Sequence, residues 1–255
     1  MTIFYFSSTG NSIQVARAFG GELVSIPAML KGDRKYWEDD AIGIVTPTHF
    51  GAPPRPVTEF LERVSLKCRY LFCIFTCGNT QAGAVSKIRR AAEGRMRFDY
   101  INSIKMVDNY FPYFNVRKQV ENLAAKHVEE HLKSIVDDVR NRRRYIEGTD
   151  LYGKIAGWYM SIFPLSPNAY KRFYVLDEKC DGCGVCRKIC PIDNIVMDDD
   201  RHPIIRSACL TCGACYHNCP NEAIHYRGEK SDYRYRNADV SLADLLRAND
   251  TTAQK

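Results

Sequence analysis

The sequence predicts an α/β protein, a doubly wound parallel sheet followed by a smaller α+β domain. Three observations carry this. Over residues 1–115, short apolar runs rich in β-branched and aromatic residues alternate with helical patterns, as in an open parallel sheet covered on both faces. From Phe173 the composition shifts to cysteine, proline and short strands. Eight of the 11 cysteines lie between Cys180 and Cys219, in two copies of one spacing.

The strand candidates are residues 2–6, 22–26, 41–46, 70–76 and 100–107, with helices at 11–19, 56–65 and 82–93. The crossover from Pro27 to Asp40 holds Gly32 and many charges, so its helix is expected to be short or absent. Residues 116–145 give the clearest helical pattern, with Val116, Val120, Leu123, Val128, Leu132 and Ile135 at three- to five-residue intervals. Arg142, Arg143 and Arg144 at its end suit the helix dipole, and read as a solvated helix end rather than a nucleic-acid patch. The first domain is therefore placed at 1–145.

Residues 146–172 read as a linker rich in Gly, Pro and aromatic residues, whose apolar content predicts that it packs between the domains. The alternative is a helix lying on a membrane surface. Its apolar stretch from Ile155 to Leu165 is broken by Gly157, Ser161 and Pro164 and is too short to span a bilayer. The second domain takes 173–230, and 231–255 form a polar tail in which Ser241 caps a short helix over Leu242, Leu245 and Leu246.

Apolar residues make up 45% and charged residues 26%, a globular composition. The chain opens into an apparent buried strand without a charged-plus-apolar leader, so a cytoplasmic location is expected. Thiols this closely spaced in a reducing compartment point to metal rather than disulfides. The net charge of +6 would suit nucleic acid, but bound anionic cofactors would offset it, so no nucleic-acid partner is expected.

The repeat is Cys180-Asp-Gly-Cys183-Gly-Val-Cys186-Arg-Lys-Ile-Cys190-Pro191, matched 29 residues later by Cys209-Leu-Thr-Cys212-Gly-Ala-Cys215-Tyr-His-Asn-Cys219-Pro220. Each has the spacing C-x2-C-x2-C-x3-C-P, which is that of a [4Fe–4S] pair. Three cysteines two residues apart wrap one cluster, and Gly184 and Gly213 let the backbone approach its sulfides. The fourth cysteine points away and serves the other cluster. One cluster is thus assigned to Cys180, Cys183, Cys186 and Cys219, the other to Cys209, Cys212, Cys215 and Cys190. Ile195 and Ile224 are expected to shield them. Zinc, the alternative, prefers cysteine pairs separated by a longer loop. Over residues 173–228 the chain resembles the bacterial two-[4Fe–4S] ferredoxin family. His217 matches no ligand position and reads as a surface residue.

The first strand ends in Ser7-Ser8-Thr9-Gly10-Asn11-Ser12, where short hydroxyls and a glycine at a helix N-terminus make an anion site. The loop has no Lys, so it suits a monophosphate rather than a triphosphate with Mg²⁺. Pro47-Thr48-His49-Phe50-Gly51 and Cys77-Gly78-Asn79-Thr80 end the third and fourth strands at the same sheet edge. Here the chain resembles flavodoxins over 1–145, and the resemblance implies FMN held by these three loops. Phe50 is the candidate to stack on the flavin ring, with Tyr110 covering it. Backbone groups near Gly51 and Gly78 are candidates for its polar edge. Cys68 and Cys73 read as small apolar residues. Unlike the family, this domain is not strongly acidic, which leaves its redox partner open.

Together the halves resemble flavodoxin–ferredoxin fusion proteins found in anaerobes. The resemblance implies two [4Fe–4S] clusters and FMN exchanging electrons, with redox proteins as donor and acceptor. A carrier is the preferred reading, because no acid–base pair or catalytic triad stands out and no G-x-G-x-x-G follows a strand. The rival is an FMN-dependent reductase of a small substrate. A third possibility is a flavin pocket that stays empty.

Overall fold

The computed structural model describes residues 1–250. The first half runs β1 (Thr2–Tyr5), α1 (Asn11–Ala18), β2 (Glu22–Ser25), α2 (Ile26–Lys31), β3 (Tyr36–Glu38), β4 (Ala41–Pro47), α3 (Arg55–Arg63), β5 (Ser65–Lys67), β6 (Tyr70–Cys77), α4 (Ala84–Ala91) and β7 (Tyr100–Lys105). Then come α5 (Val116–Glu121), α6 (Val128–Arg140), β8 (Tyr145–Ile146), α7 (Leu151–Ile162), β9 (Phe173–Val175), α8 (Val185–Ile189), β10 (Ile195–Met197), β11 (Pro203–Ile205), α9 (Ala214–His217), β12 (Ile224–Tyr226) and α10 (Leu242–Arg247).

The main sheet has the order β2-β1-β4-β6-β7-β8, every pair parallel. With the small paired strands β3 and β5 set aside, its first five strands follow the 2-1-3-4-5 order of the flavodoxin-like fold. The central strands explain the architecture. Every residue of β6, Tyr-Leu-Phe-Cys-Ile-Phe-Thr-Cys, is buried, as expected of a parallel strand covered on both faces. One face packs Phe4, Phe60, Leu61 and Ile88 under α2, α3 and α4. The other packs Ile13, Ile135, Val136 and Val139 of α1 and α6.

That second face does not end at the sheet domain. Cys186, Ile189, Ile195, Cys215, Ile224 and Leu245 belong to the same continuous apolar cluster. The cysteine-rich domain and the tail thus share one apolar core with this face of the sheet domain. A third cluster forms at the seam, where Phe111 stacks on Tyr216 with centroids 3.9 Å apart.

Several expectations are corrected. The 116–145 helix is interrupted: α5 ends at Glu121, a short 3-10 turn follows, and His127 takes a left-handed conformation (φ 47°) before α6. Lys126 is drawn inward, donating to the carbonyls of Gly78 and Met106 at 2.8 and 2.6 Å. The chain after α6 adds a sixth parallel strand, β8. The Pro27–Asp40 crossover does hold a short helix, α2, and the unforeseen β3. Arg142, Arg143 and Arg144 lie beyond α6 and face Asp40, Asp138 and Asp99.

The linker is also corrected. It forms α7, but Trp158, Tyr159, Ile162 and Phe163 face outward instead of packing. Its small residues touch the sheet domain. Gly157 lies on the carbonyl of Ala82 with no room for a Cβ, and Gly153 lies beside Thr80. Among the described residues, no helix is long and apolar enough to cross a membrane.

The tail packs as well. Ser241 caps α10 through a capping box with Asp244, as the sequence indicated. The Asn249 amide bonds Ile189 O, and Ser25 Oγ bonds Ala248 O, so α10 ties the two domains together. Residues 251–255 of the expected tail lie outside the described residues.

Candidate functional site

Two cavities are lined by cysteines. Cys180, Cys183, Cys186 and Cys219 line the first, with Met197, Pro203 and Ile224 among its apolar walls. Cys190, Cys209, Cys212 and Cys215 line the second, with Ile195 and Leu210. Each therefore takes three cysteines from one motif and the fourth from the other.

The repeat in sequence is a repeat in geometry. Gly184 and Gly213 both sit at φ 72° as the caps of α8 and α9, a conformation that favours glycine. Backbone N–H groups donate to sulfur at matching places: Asn194 to Cys190 at 3.2 Å and Ala223 to Cys219 at 3.3 Å. Thr211 N–H donates to Cys209 at 3.3 Å. Such donors stabilise thiolate ligands. Burial pushes the Cys186 and Cys212 thiols up to about 12. Iron must displace these protons to bind, so cluster assembly is coupled to pH. The donor set fits an iron–sulfur cluster in each cavity: four thiols, N–H donors and apolar walls. Among the described residues, no group of three or more His, Cys, Asp or Glu is placed to hold a single metal ion.

The first-strand loop has the local form of an anion site. It joins β1 to α1, Gly10 caps the helix at φ 102°, and the Gly10 N–H donates to Ser7 Oγ at 3.1 Å. Ser12 Oγ meets Thr76 Oγ1 at 3.0 Å. But the loop is covered. Asn237 N–H donates to Thr9 O at 2.8 Å, and Asn218 Nδ2 donates to Ser8 O at 3.1 Å. Asn109 Nδ2 donates to the Thr9 hydroxyl at 2.5 Å, and Tyr235 donates its hydroxyl to Asn11 Oδ1 at 2.6 Å. A Cβ on Gly10 would stand 2.8 Å from Val240 Cβ. Ser8, Thr9, Asn11 and Ser12 are all buried. Among the described residues Ser8 Oγ makes no hydrogen bond of ordinary length, and it lies beside the Cys212 thiol of the second cavity, where it favours the thiolate.

The other two loops reach the same edge and are also closed. Thr48 N–H bonds Thr76 O, tying the loop after Pro47 to β6. Phe50, at φ 50°, packs edge-on against Tyr110 at 5.0 Å and Tyr113 at 6.0 Å. Gly51 is pressed against Ala82, with Met160 of α7 alongside. Burial lowers His49 to about 4, so its ring is neutral near pH 7. Cys77 is raised to about 12, chiefly by burial. Gly78 abuts the Asp108 carboxyl, Asn79 is exposed, and Thr80 meets α7 through Gly153. The structure thus gathers the candidate loops but fills the space between them with aromatic rings and a helix. As folded, FMN would fit between these loops only with the rings and α7 displaced.

The residues that cover the loop, Asn109, Asn218, Tyr235 and Asn237, were not legible as site residues. Their only sequence signal is Tyr233-Arg-Tyr-Arg-Asn237 in an otherwise polar tail. His217 is a correction: it is buried rather than on the surface. Its Nε2 lies 2.8 Å from Asn109 O, and its Nδ1 accepts the Tyr235 N–H at 3.2 Å. The carbonyl requires a proton on Nε2, and the N–H requires none on Nδ1. The ring is a neutral seam between sheet domain, cysteine domain and tail.

The profile of the 4Fe-4S dicluster domain matches residues 179–224. The chain is similar to the ferredoxin named "Ferredoxin 7Fe" of Hydrogenibacillus schlegelii, 35% identical over 72 residues, which are 26% of this chain and 92% of that protein. It is also similar to one component of the Na(+)-translocating ferredoxin:NAD(+) oxidoreductase complex of Acetobacterium woodii, 33% identical over 75 residues. That match covers 29% of this chain but only 22% of that protein. Among solved structures, a flavoprotein in complex with FMN from Lactobacillus acidophilus is similar over 48% of this chain and 97% of its own, at 18% identity and a TM-score of 0.31. The strand order of the sheet and the paired cysteine cavities carry the assignment: the chain belongs to the ferredoxin family through its C-terminal domain, fused to a flavodoxin-like fold.

Proposed function

We propose that this protein is an electron carrier holding two [4Fe–4S] clusters, with Cys180, Cys183, Cys186 and Cys219 as ligands of one and Cys190, Cys209, Cys212 and Cys215 of the other. The observation that carries it is the pair of four-cysteine cavities with crossed membership. Such clusters supply one-electron transfer at a potential set by hydrogen bonds to sulfur and by solvent exposure. The chain's part is to donate N–H groups at Cys190, Cys209 and Cys219 and to wall off water with Ile195 and Ile224. Of the candidate residues at the sheet edge, His49 is neutral near pH 7 and burial raises Tyr110, so neither is a ready proton donor there. This favours a carrier over a reductase, working between redox proteins. Anaerobically purified protein should contain about eight iron atoms and eight acid-labile sulfides. Stoichiometric zinc without sulfide would overturn the reading.

FMN in the sheet domain is the second reading, favoured by the Gly10-capped loop at the first β–α junction. It requires the tail and α7 to move aside. FMN titration of the whole chain and of a chain ending at Lys230 decides it. Quenching of flavin fluorescence by either protein supports a flavin site, and none by both leaves the clusters as the resident cofactors.

A further inference from the structure

The surface of α7 is out of keeping with the rest of the molecule. Leu151, Ile155, Trp158, Tyr159 and Ile162 recur at intervals of three and four residues or adjacent to one another, which places them along one side of a helix. All are exposed, Trp158 at 64% and Leu151 at 74%, and Phe163 extends the patch at 59%. The opposite side is fixed. Gly153 and Gly157 seat against Thr80 and Ala82, and the Asp150 side chain caps the helix by accepting the Gly153 N–H at 2.7 Å. The small residues on that side make a close seat on the sheet domain and leave the bulky ones turned to solvent. Contiguous exposed apolar surface of this kind marks a docking face.

Charge and residue type indicate what it docks on. From Leu151 to Leu176 there is no Asp or Glu, while Lys154, Lys171 and Arg172 are present and exposed. Lys154 and Lys171 have no carboxylate partner among the described residues, whereas Arg142 and Arg143 face Asp40 and Asp138. Trp and Tyr with flanking cations favour the boundary between lipid tails and anionic headgroups. The stretch Ser161-Ile-Phe-Pro-Leu-Ser-Pro167 continues the apolar face and supplies no carboxylate. A soluble redox partner recognised by charge would meet hydrophobic side chains here rather than a charged ring. We propose that α7 is a monotopic docking helix that lays Leu151, Ile155, Trp158, Tyr159 and Ile162 on an anionic lipid surface, steered by Lys154 and Lys171.

The helix lies flat, so the protein remains peripheral and dissociable. The docked face adjoins the carboxyl edge of the sheet, since Met160 reaches Gly51. This inference is independent of cluster content and of FMN.

Full-length protein with clusters assembled is mixed with phosphatidylglycerol–phosphatidylcholine vesicles and, separately, with phosphatidylcholine vesicles. Flotation and tryptophan emission are the readouts. Trp37 is 5% exposed, so a change in emission reports Trp158. Expected are flotation with the anionic vesicles, weakened by salt, and a blue shift. The variant with Trp158→Glu and Ile162→Glu should lower partitioning at least ~100-fold, roughly tenfold for each anchor. Its cluster absorbance should be unchanged, because both side chains are exposed. Lys154→Glu with Lys171→Glu should weaken binding to anionic vesicles several-fold and leave the neutral ones unaffected. No flotation by the parent protein overturns the proposal, and so does flotation that survives the double glutamate variant. A dimer in solution that the same variant dissolves, or a soluble protein partner that saturates the helix without lipid binding, overturns it in favour of a protein interface.

Discussion

Cys190 stands at the C-cap of α8 in the first motif but lines the cavity of the second. Replacing it tests the crossed arrangement. Cys190→Ser should perturb the cluster of the second cavity and spare the first, seen as loss of about half the iron with one set of paramagnetic signals retained. His49 carries a different prediction. Its ring is neutral in the folded protein, with burial holding it near 4 against 6.5 when unfolded. Between those values the unfolded chain binds more protons, so stability is fully present above about pH 6.5 and is lost as pH falls toward 4. The loss is at most about 3 kcal/mol, less where solvent reaches the ring. His49→Leu should flatten that segment of the profile, measured as the urea midpoint at pH 5 against pH 7.

At the scale of elements, the break between α5 and α6 shows how one side chain overrides periodicity. The apolar positions from Val116 to Val139 suit one long helix. Continuing it would carry Lys126 away from the carbonyls of Gly78 and Met106, which lie at the end of the sheet. Two charge-assisted bonds outweigh the one strained residue at His127. Lys126→Met should therefore cost about 1–3 kcal/mol, read from the denaturation midpoint, and should speed amide exchange at Gly78 and its neighbours. The glycines of α7 act in the same way: they bring its backbone against Ala82 and thereby decide which side of the helix faces outward.

At the scale of the molecule, the two domains are joined by a seam rather than by the linker between them. Phe111 stacks on Tyr216, His217 bridges Asn109 and Tyr235, and the tail runs from there across Gly10 to α10. Ending the chain at Lys230 should expose the Ser7–Ser12 loop, quicken its amide exchange and lower the stability of both domains together. Limited proteolysis after Arg144 and in residues 146–172 provides a second readout. Unchanged exchange at Thr9 and Gly10 would show that the tail does not hold the loop.

The sequence by itself determined the parallel sheet, the cysteine repeat and the cap at Ser241. These rest on local patterns: apolar runs of strand length, fixed ligand spacing, and a hydroxyl three residues before an acid. Even the grouping of cysteines into cavities follows from the spacing, because the fourth cysteine of such a run turns away from its own loop toward the other one. Tertiary structure alone decided what covers the first-strand loop. Thr9 meets Asn237 across more than two hundred residues, and no local pattern marks an asparagine for such a partner. It also decided that α7 is exposed. Apolar periodicity states that a helix has one greasy side, but whether that side or the glycine side meets the sheet depends on the shape of the surface it lands on. Here the Ala82 carbonyl leaves room only for glycine.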